Sequence, residues 1–257
     1  MKITFLGTAG SIMAKNRSFP SILVNQDLLL DCGEGTTQKL LQINKLKHIK
    51  TVCITHLHAD HFLGIISLIW HYGVEKRRKR LEIIGPIGIK HTIEKILELV
   101  NTPDSIQTFQ IEFTELNLSQ MNQLTMGKYI IKSTPVEHGI PALAYRIEEK
   151  KKSMCYTGDT KPTKSLVLLA KNCDLLISES TLPEKFRDFT HDHFHMTPRD
   201  AAKLALETNS KQLVLVHISS HFLVYIEDFK TEAEKTFKKK VIIAEDLTEL
   251  EINRNSS

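Results

Sequence analysis

Residues 56–61, His-Leu-His-Ala-Asp-His, place four metal-binding side chains within six positions, directly after the apolar run Thr51-Val52-Cys53-Ile54. Side chains alternate along an extended backbone, so His56 and His58 point to the same side and two imidazoles can meet one cation. Asp60 and His61 follow where the chain must turn toward a helical pattern starting at Phe62, which lets them swing to a second cation nearby. Burying so many titratable groups without a cation would be costly. The pattern therefore predicts a two-metal centre. It also constrains the fold, because a short buried strand must deliver these ligands from its C-terminal end.

With 257 residues, 41% of them hydrophobic, and no composition shift or Pro/Gly/Ser linker, residues 1–257 read as a single domain. The opening Met1-Lys2-Ile3-Thr4-Phe5-Leu6-Gly7 enters a strand-like run and lacks the longer apolar region and cleavage site of a secretion signal. No apolar stretch is long enough to span a bilayer, so no membrane is expected as a partner. Cys32, Cys53, Cys155 and Cys173 show no CxxC spacing and mostly lie in or beside apolar runs, as reduced thiols of a cytoplasmic protein do. The net charge of +4 says little about partners, but its distribution includes the unbroken basic run Lys76-Arg77-Arg78-Lys79-Arg80, with smaller clusters at Lys150-Lys152 and Lys238-Lys240. Such a run can neutralise phosphates or simply be a solvated helix end. No ladder of aromatic residues interleaves these charges, which argues against a sequence-reading RNA module.

Strand-like runs fall at Ile3-Leu6, Ser21-Val24, Leu28-Asp31, Thr51-Thr55, Leu81-Ile84, Tyr129-Ser133, Ala142-Ile147, Ser153-Thr157, Leu175-Ser178, Leu213-Val216 and Val241-Ile243. Helical periodicity fits Thr36-Ile43, Phe62-Trp70, Ile87-Val100, Thr163-Ala170, Pro198-Glu207 and Ile226-Phe237. Antiparallel-looking runs open each half and strand-helix alternation follows, which predicts two similar α/β halves with helices outside a mixed sheet. The tail Asn253-Ser257 is expected to fray.

Further ligand types recur where strands end. Asp31-Cys32-Gly33-Glu34-Gly35 follows Leu28-Leu29-Leu30; Asp31 reads either as the support of a ligand histidine or, more simply, as a helix-start carboxylate. Val136-Glu137-His138-Gly139, Thr157-Gly158-Asp159-Thr160 and Val216-His217-Ile218-Ser219 end three more strands. Asp159 can bridge two cations, with His138 and His217 completing the first and second sites.

With these segments assembled, the chain resembles the metallo-β-lactamase-fold hydrolases and, within them, the ribonuclease Z family. The resemblance covers nearly the whole length and includes Phe5-Leu6-Gly7-Thr8-Ala9-Gly10-Ser11, Asp31-Cys32-Gly33-Glu34-Gly35-Thr36, Gly85-Pro86-x-Gly88-Ile89 and His195-Met196-Thr197-Pro198. It implies a four-layer αββα sandwich of two mixed sheets with helices on the outer faces. It implies two zinc ions per chain, one on His56, His58 and His138, the second on Asp60, His61 and His217, bridged by Asp159, with a water or hydroxide between them. Asp60 would also orient that nucleophile, and His195 would protonate the leaving 3′-oxygen of an RNA strand. Glu179 reads as an orienting partner for His195 or as a plain surface carboxylate.

The family's tRNA-end loop carries Pro-x-Lys-x-Arg-Asn. Here Met13-Ala14-Lys15-Asn16-Arg17-Ser18 keeps both cations and lacks the Pro and Asn, which leaves Lys15 and Arg17 as expected phosphate ligands. Between His138 and Asp159, where many relatives insert a long flexible arm that grips the tRNA body, only 20 residues intervene. The arm is absent, so another anchor is needed, either the Lys76-Arg80 run or the second subunit of the homodimer the family commonly forms. The leading expectation is a zinc-dependent phosphodiesterase that cuts RNA, with tRNA precursors as the family's substrate. The alternative is a small-molecule (cyclic) phosphodiesterase on the same di-zinc centre. Thioester, lactam or iron redox chemistry and a non-catalytic nucleic-acid-binding role fit the full ligand set less well.

Overall fold

Alternating apolar side chains set the core of this molecule, a computed structural model that describes residues 1–253. In β1 (Lys2–Gly7), β2 (Ser21–Val24) and β3 (Leu28–Leu30), the side chains of Ile3, Phe5, Ile22, Val24, Leu28 and Leu30 share one face. Leu6, Leu23 and Leu29 take the other. Strands apolar on both faces must be covered on both. These three pair antiparallel, and β3 then passes to a parallel series, β4 (Thr51–Cys53), β5 (Leu81–Pro86) and β6 (Ile111–Leu116). The intervening helices are α1 (Thr36–Gln42), α2 (Ala59–Phe62), α3 (Gly64–Val74) and α4 (Ile89–Leu99).

The second half repeats the plan. An antiparallel meander of β7 (Asn122–Met126), β8 (Tyr129–Val136), β9 (Ala142–Glu149) and β10 (Lys152–Tyr156) gives way to parallel β11 (Leu175–Glu179), β12 (Gln212–Val216) and β13 (Val241–Ile243). Helices α5 (Lys164–Ala170), α6 (Arg187–Asp192), α7 (Pro198–Glu207) and α8 (Ile226–Phe237) lie between them. The last strand, β14 (Glu249–Glu251), returns to pair antiparallel with β1.

The two sheets share an inner core to which Phe5, Leu28 and Leu30 contribute from the first and Tyr145, Met154, Ile177 and Val214 from the second. Leu40, Ile65, Leu68 and Ile93 of the first-half helices pack on the outer face of the first sheet with Leu29, Val52 and Ile83. Leu166, Ala201, Ala205 and Phe237 cover the second, over Leu176, Leu213 and Leu215. The expected four-layer αββα sandwich of two mixed sheets is what forms.

The expected strand and helix segments coincide with elements of the structure, and β6, β7, β14, α2 and α6 are additional. Edge position explains the strands: β7 and β14 are partly exposed and show little apolar periodicity, so the ladder to a neighbour defines them. Of the tail expected to fray, residues 254–257 lie outside the described residues. Among the described residues no helix is long and apolar enough to cross a membrane.

One of the expected RNA anchors, the basic run, changes meaning here. The run Lys76-Arg80 immediately precedes the N-terminal end of β5, whereas the ligand loops leave the C-terminal ends of the parallel strands. Within it, Arg77 caps carbonyls of Ile49 (2.7 Å), Lys79 (2.6 Å) and Arg80 (3.0 Å) and lies 4.3 Å over the Tyr72 ring, while Arg80 pairs with Glu82 and Glu112. Two of its five cations, Arg77 and Arg80, therefore brace the end of the sandwich opposite the ligand loops. The arm region is a tight hairpin in which β9 and β10 are joined through Lys150, at φ 56°, and Lys151.

Candidate active site

Strand β4 stops at Cys53 and releases Ile54, Thr55 and His56 at the C-terminal edge of the first sheet. Opposite this edge, the second sheet ends its own parallel strands. Two cross-sheet bonds join the edges, Leu143 N–H to the Thr55 carbonyl (2.9 Å) and Tyr145 hydroxyl to the Ile54 carbonyl (2.9 Å). Gly158 sits between them in the left-handed region at φ 56°, where an added β-carbon would lie 2.9 Å from Thr55. Glycine there lets the Asp159 loop lie against the histidine loop.

The structure gathers all seven expected ligand residues, in overlapping groups whose ligand atoms lie within 4.8 Å of one another: His56, His58 and His138; His56, His61 and Asp159; Asp60, His61 and His217. His58 Nδ1 and His138 Nε2 are 3.0 Å apart. Asp159 Oδ2 lies 3.9 Å from His56 Nε2, 3.3 Å from His61 Nε2 and 3.2 Å from His217 Nε2, the central position a bridging carboxylate needs. Asp60 Oδ2 is 3.6 Å from both His61 Nε2 and His217 Nε2. Asp60 and His61 occupy α2, a single helical turn that the sequence pattern runs together with α3.

The buried charges of the cluster act strongly on one another. Burial, reinforced by His61, holds His56 well below the usual imidazole range. Burial opposes a proton on His61 too, but Asp159 and Asp31 raise it well above that range. Burial works against the charge on Asp159, yet His217 and His61 hold its carboxyl well below the usual range. His56 Nε2, His61 Nε2, His217 Nε2 and Asp159 Oδ1 are buried and have no hydrogen-bond partner among the described residues. Each buried unpaired polar atom costs about 1–3 kcal/mol. Four converging on one spot fit a cation site.

Supporting residues fix the rings. Asp31 is fully buried, and its Oδ2 accepts from His61 Nδ1 (2.7 Å), Thr55 hydroxyl (3.0 Å) and Tyr156 hydroxyl (3.0 Å), while Oδ1 accepts from Thr55 N–H (2.7 Å). The helix-start reading of Asp31 is thereby replaced, since α1 begins at Thr36 behind Gly35 with no side-chain cap. Glu179, also fully buried, is no surface carboxylate. It accepts from Thr160 N–H (2.6 Å), Thr181 hydroxyl (2.7 Å) and Met196 N–H (3.1 Å), and lies 3.1 Å from His195 Nδ1. His195 groups with Asp159 and His217, and its ring is stacked 5.5 Å from that of His217. Burial disfavours a proton on His195, but the Glu179 charge and hydrogen bond outweigh it and push the imidazole up to about 9.

Sequence reasoning missed Thr181, whose hydroxyl touches Glu179, His195 (3.2 Å) and His217 (3.0 Å), and Tyr156 behind Asp31. A threonine two residues past a strand-end glutamate carries no periodic signal. Arg17 is the main correction to the expected substrate contacts. It is buried, and its Nη1 donates to Thr8 Oγ1 (3.0 Å) and the Ala244 carbonyl (2.7 Å), so it ties the loop to the sandwich rather than facing a phosphate. Lys15 is exposed at the tip of the Ala14–Arg17 turn.

Comparisons with known proteins agree with this geometry. The Beta-lactamase superfamily domain matches residues 26–218. The ribonuclease Z of Archaeoglobus fulgidus is 30% identical over 305 aligned positions, covering 100% of this chain and 99% of that protein. Since this chain has 257 residues, that relative carries several dozen positions with no counterpart here. Human tRNase Z, short form, superposes with a TM-score of 0.83 at 28% identity, over 98% of this chain and 100% of its own. The metallo-β-lactamase fold protein YhfI from Bacillus subtilis gives the same TM-score, 0.83, at 25% identity, over 97% of this chain and 98% of its own.

Proposed function

The chain belongs to the β-lactamase superfamily and, within it, to the ribonuclease Z family, and on that premise we propose that it is a metal-dependent endoribonuclease that cleaves precursor tRNA on the 3′ side. The observation that carries this reading is the meeting, at one edge of the sandwich, of seven candidate cation ligands with His195, whose Nδ1 lies 3.1 Å from the buried Glu179 carboxylate. We take His56, His58 and His138 to hold one ion, Asp60, His61 and His217 a second, and Asp159 to bridge. When bound, such ions supply Lewis acidity for phosphate oxygens and a water activated at neutral pH.

The protein's own residues do the rest. Asp60, beside His61 and His217, orients the attacking water by accepting its hydrogen bond. His195 keeps its Nδ1 on Glu179 and presents Nε2, from which it gives a proton to the departing 3′-oxygen, a poor leaving group otherwise. Asp31 holds His61 Nδ1, which fixes the ring so that Nε2 faces Asp159. The ions we infer are zinc, by the His-rich donor set. The remaining features of the reading are RNA as substrate partner, a homodimer as in the family pattern, and a cytoplasmic setting supported by four buried free thiols.

The second reading, a small-molecule phosphodiesterase, is favoured by the tight β9–β10 hairpin and the buried Arg17. One experiment separates them: the zinc-loaded protein and its Asp60→Ala variant are incubated with a 3′-extended tRNA precursor and with a small diester. Cleavage of the precursor, lost in the variant, is the expected result; hydrolysis of the small diester alone would give the second reading.

A further inference from the structure

We propose that Phe194 is the stacking platform for the base of the nucleotide whose 3′-oxygen leaves, a specificity element that rests on the nuclease reading above. Phe194 directly precedes His195, the group presented to that oxygen. Its backbone sits at φ 60°, a conformation that bulky residues rarely adopt. The loop imposes this through Phe194 N–H to the His191 carbonyl (3.0 Å) and His195 N–H to the Thr190 carbonyl (2.9 Å), with the Phe194 carbonyl 3.4 Å from His138 Nδ1. These two bonds close the C-terminus of α6 as a left-handed cap, a position that usually takes Gly or Asn, and the cap is what sets Phe194 directly before His195.

The Phe194 side chain remains 36% exposed, so part of the ring is open to a partner. The ammonium of Lys161 lies 5.3 Å from the ring centroid and also pairs with Glu137 at 2.7 Å. Lys161 stands two positions after Asp159, so the ring and the cation arrive on the two loops that also carry His195 and the central carboxylate. An exposed aromatic face beside a cation, next to a site for phosphodiester cleavage, is how single-stranded nucleic acid is gripped without reading its sequence. The pairing recurs in neighbouring segments, where Lys185 lies 5.2 Å from the Phe186 ring and 4.7 Å from that of Tyr225. Lys185 and Phe186 are neighbours along the chain, whereas Lys161–Phe194 and Lys185–Tyr225 are brought together only by the fold.

The test is a cycle on a 3′-extended acceptor-stem RNA carrying either a normal nucleotide or an abasic one 5′ of the cut, with the native protein, Phe194→Leu and Phe194→Trp. Loss of a stacked base costs roughly tenfold or more in kcat/KM. The native protein is expected to show that loss with the abasic RNA, Phe194→Leu a similar loss with the normal RNA, and the two together no further loss; Phe194→Trp restores activity. A second readout is free of turnover: 2-aminopurine at that nucleotide is quenched on binding to Asp60→Ala protein and not when Phe194→Leu is added. Additive losses, or equal quenching with leucine, overturn the platform while leaving the nuclease intact. If the native protein neither binds nor cuts the normal RNA, the nuclease reading itself has failed, and the platform with it.

Discussion

Asp31 and Glu179 are the same device built twice. Each is a fully buried carboxylate at the end of an apolar strand, each faces the Nδ1 of one imidazole, and each is closed off by a backbone N–H and a threonine hydroxyl. They differ in where the far side of the imidazole looks. His61 is itself fully buried and turns Nε2 inward to Asp159 and Asp60. His195 keeps 18% of its side chain exposed. The first ring can therefore serve only the interior of the site, whereas the second can hand a proton to something that arrives from outside. Depth decides the role.

The largest expected effect comes from breaking the deeper copy. Asp31→Ala leaves His61, Thr55 and Tyr156 facing an empty acceptor, and removal of one partner from such a buried pair costs about 3–5 kcal/mol. Urea unfolding measures this, and a loss below about 1 kcal/mol would show that the support is replaceable. Metal content of the same variant, read by elemental analysis after dialysis, is expected to fall because the His61 ring is no longer fixed.

Breaking the shallower copy changes catalysis more than stability. Glu179→Gln is expected to lower kcat by about 10–100-fold, in the range for a lost support of a catalytic ring. Its pH behaviour is more telling. His195 is raised from 6.5 to about 9, so its proton, and the stability it brings, is fully present below about 6.5 and is lost as pH rises through about 9. Activity that needs this proton falls over the same alkaline limb, and in Glu179→Gln that limb moves to lower pH. A pH-rate profile with an unmoved limb would remove His195 from the acid's role. The smallest effect belongs to Thr181→Val, which deletes one hydroxyl shared by Glu179, His195 and His217 and costs about 1 kcal/mol in thermal or urea unfolding.

The grouping of the candidate ligands was legible because metal chemistry restricts residue types and strand ends restrict position; His56, His58, Asp60, His61, His138, Asp159 and His217 all carry that double mark. Sequence could not separate Asp31 from a helix cap or Glu179 from a surface residue. Both ambiguities concern depth, which depends on neighbours the pattern does not mark: Tyr156 reaches Asp31 from the opposite sheet, and Thr181 folds back on Glu179 from the loop that follows it. Arg17 fails for the same reason, since its partners Thr8 and Ala244 lie 9 and 227 positions away. The basic run shows the complementary limit, because charge along a chain does not say which end of a strand it marks. Edge strands β7 and β14 went unread because pairing, rather than apolar alternation, defines them.

The ligands enter from both sheets, and this has a consequence for the life of the chain. A ribosome that has released the first hundred residues has already made His56, His58, Asp60 and His61, yet His138, Asp159, His195 and His217 do not yet exist. The site is therefore a late product of synthesis, complete only once residues of both sheets are present.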